Sequence, residues 1–316
     1  MGRYLLRRLV LLIPTLLGIS ALVLVLMRLL PGDAVDILVG PELVLGPEQR
    51  KALYRLFGLD APIHIHYFNW LIEVLQGNLG LSVRTAQPIT KVIMQRLPIT
   101  IELALLASAL AWVIAIPLGV LSAVRRNGTL DFVAHISGLI GLSVPNFWLA
   151  TMLLLVSSLY LGWQPSLIWI SPFKDLLANL QQMLLPVLSL SAVLMAVVMR
   201  MMRSSMLEVL GQDYIRTARS KGLREQAVLA RHAFKNAAIP VITVQGIQVG
   251  YLLGGAVVIE QIFGMPGIGW TILNGIYQRD YPVVQGGVLF VAVAFVLVNL
   301  LVDLVYAYLD PRIRYD

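Results

Sequence analysis

The stretch DYIRTARSKGLREQAVLARHAFK, Asp213–Lys235, is a strongly basic segment between two long apolar runs. Residues that favour a helix run from Tyr214 to Lys221, Gly222 interrupts them, and a second helical pattern starts at Leu223. The predicted apolar face of this second piece consists of Leu223, Ala227, Ala230 and Phe234. Its predicted basic face consists of Arg224, Arg231 and Lys235. Two interpretations remain open: an interfacial helix attracted to anionic lipid, or a lever inserted into a groove of a soluble partner.

The rest of the chain is too apolar for a soluble domain, with 58% hydrophobic residues, 13% charged residues and a mean hydropathy of +0.81. Six apolar runs are long enough to cross a hydrocarbon core of about 30 Å. They cover approximately residues 9–30, 99–122, 133–160, 184–202, 238–259 and 283–308. Such segments must be helical, because every backbone polar group needs an internal partner in lipid. The composition predicts an all-α integral membrane protein with six transmembrane helices.

The basic residues fall on one side of that arrangement. They are Arg3, Arg7 and Arg8, then Arg125 and Arg126, then the cations between Arg200 and Lys235, and finally Arg312 and Arg314. The opposite loops are nearly balanced in charge, so we expect cytoplasmic N- and C-termini. This distribution explains the net charge of +7 better than a nucleic-acid partner does. The first apolar run exceeds the core of a signal peptide and is expected to be a retained anchor.

Three parts are predicted along the chain: 1–30 with the first span, an extracytoplasmic helical insertion at 31–98 between helices 1 and 2, and a core with the other five spans and the basic segment at 99–316. As one helix the third span, Phe132 to Trp163, would be about 48 Å long. Pro145 lies inside it, and a kinked helix and a pathway-lining break both remain open. The segment FGMPGIGW, Phe263 to Trp270, excludes a regular helix, and a tight external turn is favoured over a cavity-lining segment.

Residues that could carry chemistry are sparse. The chain has no GxxxxGK[ST] phosphate loop, no HExxH and no cysteine, so we expect a non-enzymatic protein without a cofactor of its own. His64 and His66 are too few for a closed metal site, and packing or surface roles are favoured. Among the acids Glu102, Glu260 and Asp303, the last is the deepest, and a structural ion pair is favoured over a proton relay.

Several residues are candidates for a pathway or a gate. Gln245 and Gln248 are expected either to line a polar path or to hydrogen-bond between helices. The full set of candidates is Pro145, Asn146, Gln245, Gln248, Phe263, Pro266 and Asp303.

RTARSKG, Arg216 to Gly222, resembles the EAA loop of ABC-importer permeases, whose general form is E-A-A-x-x-x-G. The match rests on Ala218 and Gly222, whereas Arg216 and Thr217 stand where Glu and Ala are usual. The longer form YIRTARxKG…RHAxxNAxIPVIT resembles the dipeptide/oligopeptide/nickel subfamily. Further landmarks of that subfamily occur in order: MRLLPGDA at 27–34, FGLDAPIHIHY at 57–67, GNLGLS at 77–82, SVPNFWLA at 143–150, FGMPGIG at 263–269, RDYPVVQ at 279–285 and NLLVDLVYAYLDPRIRY at 299–315.

The resemblance implies the fold of a type I ABC-importer permease. It implies a heterodimer with a second, homologous permease, two ATPase subunits that bind ATP and Mg, and an extracytoplasmic binding protein that delivers the substrate. The segment 213–235 would be the loop that couples to the ATPases. Its candidate residues are Asp213, Tyr214, Arg216, Thr217, Ala218, Arg219, Lys221, Gly222, Leu223 and Arg231.

The resemblance favours di- or oligopeptides as the substrate and leaves nickel, glutathione and oligosaccharides open. A different class of function, an ion-coupled carrier or channel that acts alone, is supported by the six predicted spans and Asp303. A sensor or scaffold whose basic loop recruits a signalling protein is a third hypothesis.

Overall fold

The computed structural model of the chain describes residues 2–29, 35, 46–56 and 60–309, and these are almost entirely helical. The helices are α1 (Gly2–Leu29), α2 (Pro47–Leu56), α3 (Ile63–Leu75), α4 (Ile89–Val124), α5 (Thr129–Ser143), α6 (Asn146–Leu161), α7 (Leu176–Leu210), α8 (Asp213–Ser220), α9 (Glu225–Ala227), a π-helical stretch (Val228–Ala233), α10 (Phe234–Gly255), α11 (Val257–Ile262), α12 (Ile268–Tyr277) and α13 (Tyr281–Leu309). The predicted all-α class is confirmed. The landmarks MRLLPGDA, FGLDAPIHIHY and NLLVDLVYAYLDPRIRY each lie partly outside the described residues.

Four helices of the described chain are long and apolar enough to cross a membrane. They are α1 over Val10–Leu29, α4, α7, and α13 over Tyr281–Leu304. The pair α5 and α6 adds a fifth if its two halves count as one broken span. The predicted run 238–259 is divided between α10 and α11 and is not among them. The described residues thus support four or five spans, and the insertion at 31–98 and the count of six stay predictions.

Pro145 breaks the third predicted span. α5 ends at Ser143 and α6 starts at Asn146, and their axes differ by 99°. Val144 and Pro145 are extended, with ψ of 120° and 136°. A proline excludes the helical conformation from the residue before it, so Val144 ends the first helix. A continuous helix of about 48 Å is therefore ruled out. The chain is broken at Pro145, and a role of this break in lining a pathway stays a prediction.

Contacts divide the chain into two compact units. The first comprises Met1–Thr100, Pro266–Val296 and Tyr315–Asp316, and the second comprises Ile101–Met265 and Leu297–Arg314. The predicted boundaries at 30/31 and 98/99 concern membrane sidedness and stay a prediction.

In the first unit a buried carboxylate joins two of the sequence landmarks. Asp280, in RDYPVVQ, accepts a hydrogen bond from the hydroxyl of Ser82, the last residue of GNLGLS (2.5 Å). It accepts another from the amide of the next residue, Val83 (3.1 Å). Asp280 is 3% exposed. These hydrogen bonds compensate the Asp280 carboxylate for the water that it loses on burial.

The segment 263–270 is irregular over only part of its length. The irregular part is Phe263–Gly267, because α12 already begins at Ile268. Gly264 has a φ of +62°, which makes the turn tight. Phe263 and Met265 are nearly fully buried, so the turn packs against protein, and its external location stays a prediction.

In the second unit, small residues let helices approach α7 closely. A Cβ atom added to Gly119 of α4 would lie 2.8 Å from the Met199 carbonyl oxygen and 2.8 Å from the Met202 Cβ. A Cβ added to Gly138 of α5 would meet only the mobile tip of Met199, at 3.1 Å. Small residues at helix crossings are typical of membrane proteins, where close backbone approach replaces the hydrophobic effect.

We expect Gly119→Ala to destabilise the protein by about 2 kcal/mol, because the backbone of α7 cannot move aside without shifting the helix. Gly138→Ala is the matched control and should be nearly neutral, since a methionine tip can rotate away. Thermal unfolding of both variants in one detergent measures the difference. Equal stability of the two variants would contradict the assigned packing of α4 on α7.

Candidate functional site

The first half of the basic segment forms α8, a short helix held by local hydrogen bonds. The Thr217 hydroxyl donates to the Asp213 carbonyl (3.0 Å), and the Ser220 hydroxyl donates to the Arg216 carbonyl (3.0 Å). The Asp213 carboxylate lies in the first turn, where the helix dipole favours negative charge. The segment thus specifies this helix locally.

Gly222 makes the turn that ends the first half. Its φ is +76°, a left-handed conformation that only glycine adopts without steric cost. An added Cβ atom would find no other atom within 4 Å. Backbone conformation, and not a close approach within this chain, therefore requires the glycine. Leu223 follows it and is 42% exposed.

An ion pair spans this turn. The Arg219 guanidinium donates to both carboxylate oxygens of Glu225, at 2.7 and 3.1 Å. These hydrogen bonds lower the pKa of Glu225 and raise the pKa of Arg219. The pair stabilises the turn above the unfolded-state pKa of Glu225, and the stabilisation is lost as the pH falls through the lowered folded-state pKa. Both groups are half exposed, so the contribution is small.

The predicted apolar face of the second half is wrong in part. Leu223 and Ala230 are exposed, Ala227 and Phe234 are partly buried, and Val228, Ala233 and Ala237 are fully buried. Leu223 precedes the helix, which begins at Glu225, and the π-helical stretch Val228–Ala233 replaces the usual four-residue hydrogen-bond spacing by five. This shifts the buried positions away from those that an α-helical period predicts.

Both halves of the segment are mounted on one apolar cluster. Ile215 and Ala218 of α8 are buried in it together with Val228 and Ala233. The remaining fully buried members are Ala115, Ala123, Ala134, Val198, Met199, Met202, Met206, Ala237 and Val241. The cluster joins the segment to α4, α5, α7 and α10.

The outer face of the segment is polar and cationic. The side chains of Arg216, Thr217, Lys221 and Arg231 are exposed, and Tyr214 is 44% exposed. The Tyr214 hydroxyl accepts a hydrogen bond from the Asn236 amide at 3.2 Å. The segment 213–235 is therefore a platform with a buried apolar face and an exposed, largely basic face.

A buried ion pair beside this cluster was not predicted from the sequence. The Arg203 guanidinium of α7 donates to both oxygens of Asp131 in α5, at 2.6 and 2.9 Å. The Asn127 amide donates to Asp131 at 2.9 Å, and the Ser122 hydroxyl of α4 donates to it at 2.5 Å. The sequence shows one acid, Asp131, in a basic region, but it does not indicate the partner, which lies 72 residues away.

Of the candidate pathway residues, Pro266 belongs to the first unit and the others belong to the second. Asn146 begins α6 directly after the exposed Pro145, and its buried amide oxygen has no hydrogen-bond partner among the described residues. Gln245 is 1% exposed, and within the described residues neither of its amide atoms has a partner.

The candidates of α10 and α13 lie near the contact between these two helices. A Cβ added to Gly246 would fall 2.1 Å from Val302 Cγ2, so the two helices touch beside Gln245 and Asp303. Gln248 and Asp303 are half-buried there, whereas Phe263 is 2% exposed in the turn after α11.

Glu102 and the histidines have structural explanations. The Trp169 indole N–H donates to the Glu102 carboxylate at 3.1 Å. The buried Gln182 holds the same connection between α6 and α7, accepting from the Ile170 amide and donating to the Ser166 and Ile168 carbonyls. His64 and His66 lie in α3, where residues two apart do not face each other.

Comparisons with known proteins decide the family. Residues 115–315 match the model of the "binding-protein-dependent transport system inner membrane component", and residues 1–104 match that of its N-terminal region. The chain belongs to this family. It is a permease subunit of an ATP-binding-cassette importer and a multi-pass inner-membrane protein, and it is not an enzyme. Membership implies ATPase and substrate-binding protein partners. The predicted family is thereby confirmed.

Relatives match over their whole length. An oligopeptide transport system permease protein of Bacillus subtilis is 40% identical, and each chain is fully covered. A dipeptide transport system permease protein of Escherichia coli is 41% identical, with 100% of this chain and 99% of the relative covered. A putative peptide transport system permease protein of Brucella abortus is 43% identical, again with full coverage.

A solved structure, the inward-facing MetNI methionine ABC transporter, is similar to this permease in fold. The TM-score is 0.55 at 18% identity, with 72% of this chain and 100% of the other covered. This similarity supports the helical arrangement of the fold alone.

Removing one partner of the Asp131–Arg203 pair should destabilise the permease by about 2–3 kcal/mol, because the other charge stays partly buried without compensation. The value lies below the range for fully buried pairs, since the Arg203 side chain is 27% exposed. The double variant Asp131→Leu/Arg203→Met should be less destabilised than the sum of the two single ones. Thermal unfolding of all four proteins measures the coupling, and strict additivity would contradict it.

Proposed function

We propose that this permease forms half of a translocation pathway for di- or oligopeptides, paired with a second, homologous permease. Three full-length relatives at 40–43% identity carry peptide, dipeptide or oligopeptide names, which supports this substrate class. An extracytoplasmic binding protein delivers the substrate. Two ATPase subunits bind ATP and Mg, and no cofactor binds to this chain.

The segment 213–235 couples the permease to the ATPases. The observation that carries this proposal is the way in which the segment packs. Its apolar face is buried in one cluster with α4, α5, α7 and α10, and its basic face is exposed. A push on such a platform is transmitted to the helices, because packed interfaces move as rigid bodies. The residues proposed for coupling are Asp213, Tyr214, Arg216, Thr217, Ala218, Arg219, Lys221, Gly222, Leu223 and Arg231.

We also propose that the chain has six spans, with cytoplasmic N- and C-termini and an extracytoplasmic insertion at 31–98. The basic loops at Arg125 and Arg126 and at 213–235 support this orientation. The proposed pathway or gate residues are Pro145, Asn146, Gln245, Gln248, Phe263, Pro266 and Asp303. The unpartnered amide atoms of Asn146 and Gln245 support their inclusion, because a buried polar group without a partner is costly and marks a place where water, substrate or the second permease can supply one.

Purification of the tagged chain from its native membrane in a mild detergent tests the assembly. We expect a second permease and one or two ATPases to co-purify, with ATP hydrolysis stimulated by the binding protein and its peptide. A chain that purifies alone and transports solute in liposomes without nucleotide would overturn the proposal in favour of a carrier or channel.

Gly222→Ala should lower ATP-dependent peptide uptake roughly fivefold, since a non-glycine residue at positive φ costs about 1 kcal/mol or more. Gly222→Asp should abolish uptake, because it adds an acidic charge to a cationic docking face. Uptake is measured in reconstituted vesicles at equal permease content.

Gly211→Ala is the matched control for both variants. Gly211 has a helical φ of −80°, and an added Cβ would meet its nearest atom at 3.4 Å. This control should transport normally. Full uptake by Gly222→Asp would contradict the coupling assignment.

A further inference from the structure

A groove of about 200 Å³ runs between α5 and α7, separate from the candidate pathway residues. The two helices contribute one face each, and Ser122 of α4 closes the floor. The lining residues of α5 are Ala134, His135, Gly138, Leu139 and Leu142. Those of α7 are Ala196, Met199, Arg200, Arg203 and Ser204.

The lining changes in character along the groove. At one end Leu142, Leu139 and Ala196 offer only apolar surface, and at the other His135, Arg200 and Ser204 are polar. The eight residues from His135 to Leu142 span about 10 Å of helix. The groove therefore suits an elongated molecule with an apolar tail and a polar head.

The polar end carries one positive charge that is not neutralised. Arg203 already pairs with Asp131. Arg200 is exposed, and no acidic side chain of residues 60–309 pairs with it. The Arg200 guanidinium is therefore available to bind an anion from outside these residues.

We propose that this groove binds an anionic phospholipid of the cytoplasmic leaflet, with its phosphate against Arg200 and an acyl chain against Leu139, Leu142 and Met199. Basic pockets between membrane helices on the cytoplasmic side hold anionic headgroups by this combination of charge and apolar contact. The choice of leaflet rests on the proposed function, which assigns the end of α7 that leads into segment 213–235 to the cytoplasm.

The occupant would contact the support of the coupling platform. Met199 and Ala134 line the groove and also belong to the cluster that buries Ile215 and Ala218. A bound lipid would therefore restrain α5 and α7 at the level where the platform is seated. This makes the lipid a regulator of coupling and not only a solvent for the helices.

Native mass spectrometry of the purified transporter complex, with phosphatidylglycerol or phosphatidylcholine added to the delipidated sample, tests the proposal. We expect phosphatidylglycerol to be retained in preference to phosphatidylcholine. Arg200→Gln should weaken its retention about fivefold, as expected for one cation at an anionic headgroup. Arg200→Lys should retain it, because lysine also binds phosphate as a point charge.

Arg126→Gln is the control for general attraction to anionic lipid. Arg126 is an exposed cation in the turn between α4 and α5 and does not line the groove. Its variant should retain phosphatidylglycerol as the unchanged protein does. Equal losses in Arg126→Gln and Arg200→Gln would overturn the site in favour of surface attraction.

Two further outcomes separate this proposal from the proposed function. A complex that hydrolyses ATP and transports peptide but retains no phosphatidylglycerol would overturn the lipid site alone, and would indicate that the second permease covers the groove. Retention that depends on Arg200, in a chain that assembles with no ATPase, would support the lipid site and overturn the proposed function.

Discussion

The hydrogen-bonded ion pair between Asp131 and Arg203 is the constraint on which the second unit depends. It joins α5 to α7, and the Ser122 hydroxyl adds α4 to the same carboxylate. Leaving either charge without its partner is costly, so the pair favours this arrangement of the three helices. Any register shift of α5 along α7 would leave two charges without partners.

This fixed arrangement determines where segment 213–235 sits. Met199, Met202 and Met206 of α7 belong to the same buried cluster as Ile215, Ala218 and Val228. Because the segment is attached through apolar packing, its charged side chains stay on the exposed face. The proposed coupling role needs this combination, since a loop that transmits force to the helices must not unfold.

Other parts of the chain interrupt helices where a membrane protein would ordinarily avoid it. The 99° break at Pro145 and the buried turn at Phe263–Gly267 both place irregular backbone within apolar sequence. Irregular backbone at membrane depth is stable only where protein or a cavity surrounds it. The turn at Phe263–Gly267 is surrounded by protein within this chain, because Phe263 and Met265 are nearly fully buried.

Apolar run length, the distribution of cations and the motif around Gly222 are local properties of the chain, and they were sufficient for the helical membrane class, the family and the interruption at Gly222. The sequence could not identify Arg203 as the partner of Asp131, because nothing local links two residues 72 positions apart. Nor could it place the buried face of Val228–Ala233, since an α-helical period was assumed where packing selects a π-helix. The angle at Pro145 and the groove beside Arg200 likewise depend on contacts between distant helices. Periodicity and charge act along the chain and can be read there, whereas pairing, register and cavities arise only when the helices pack together.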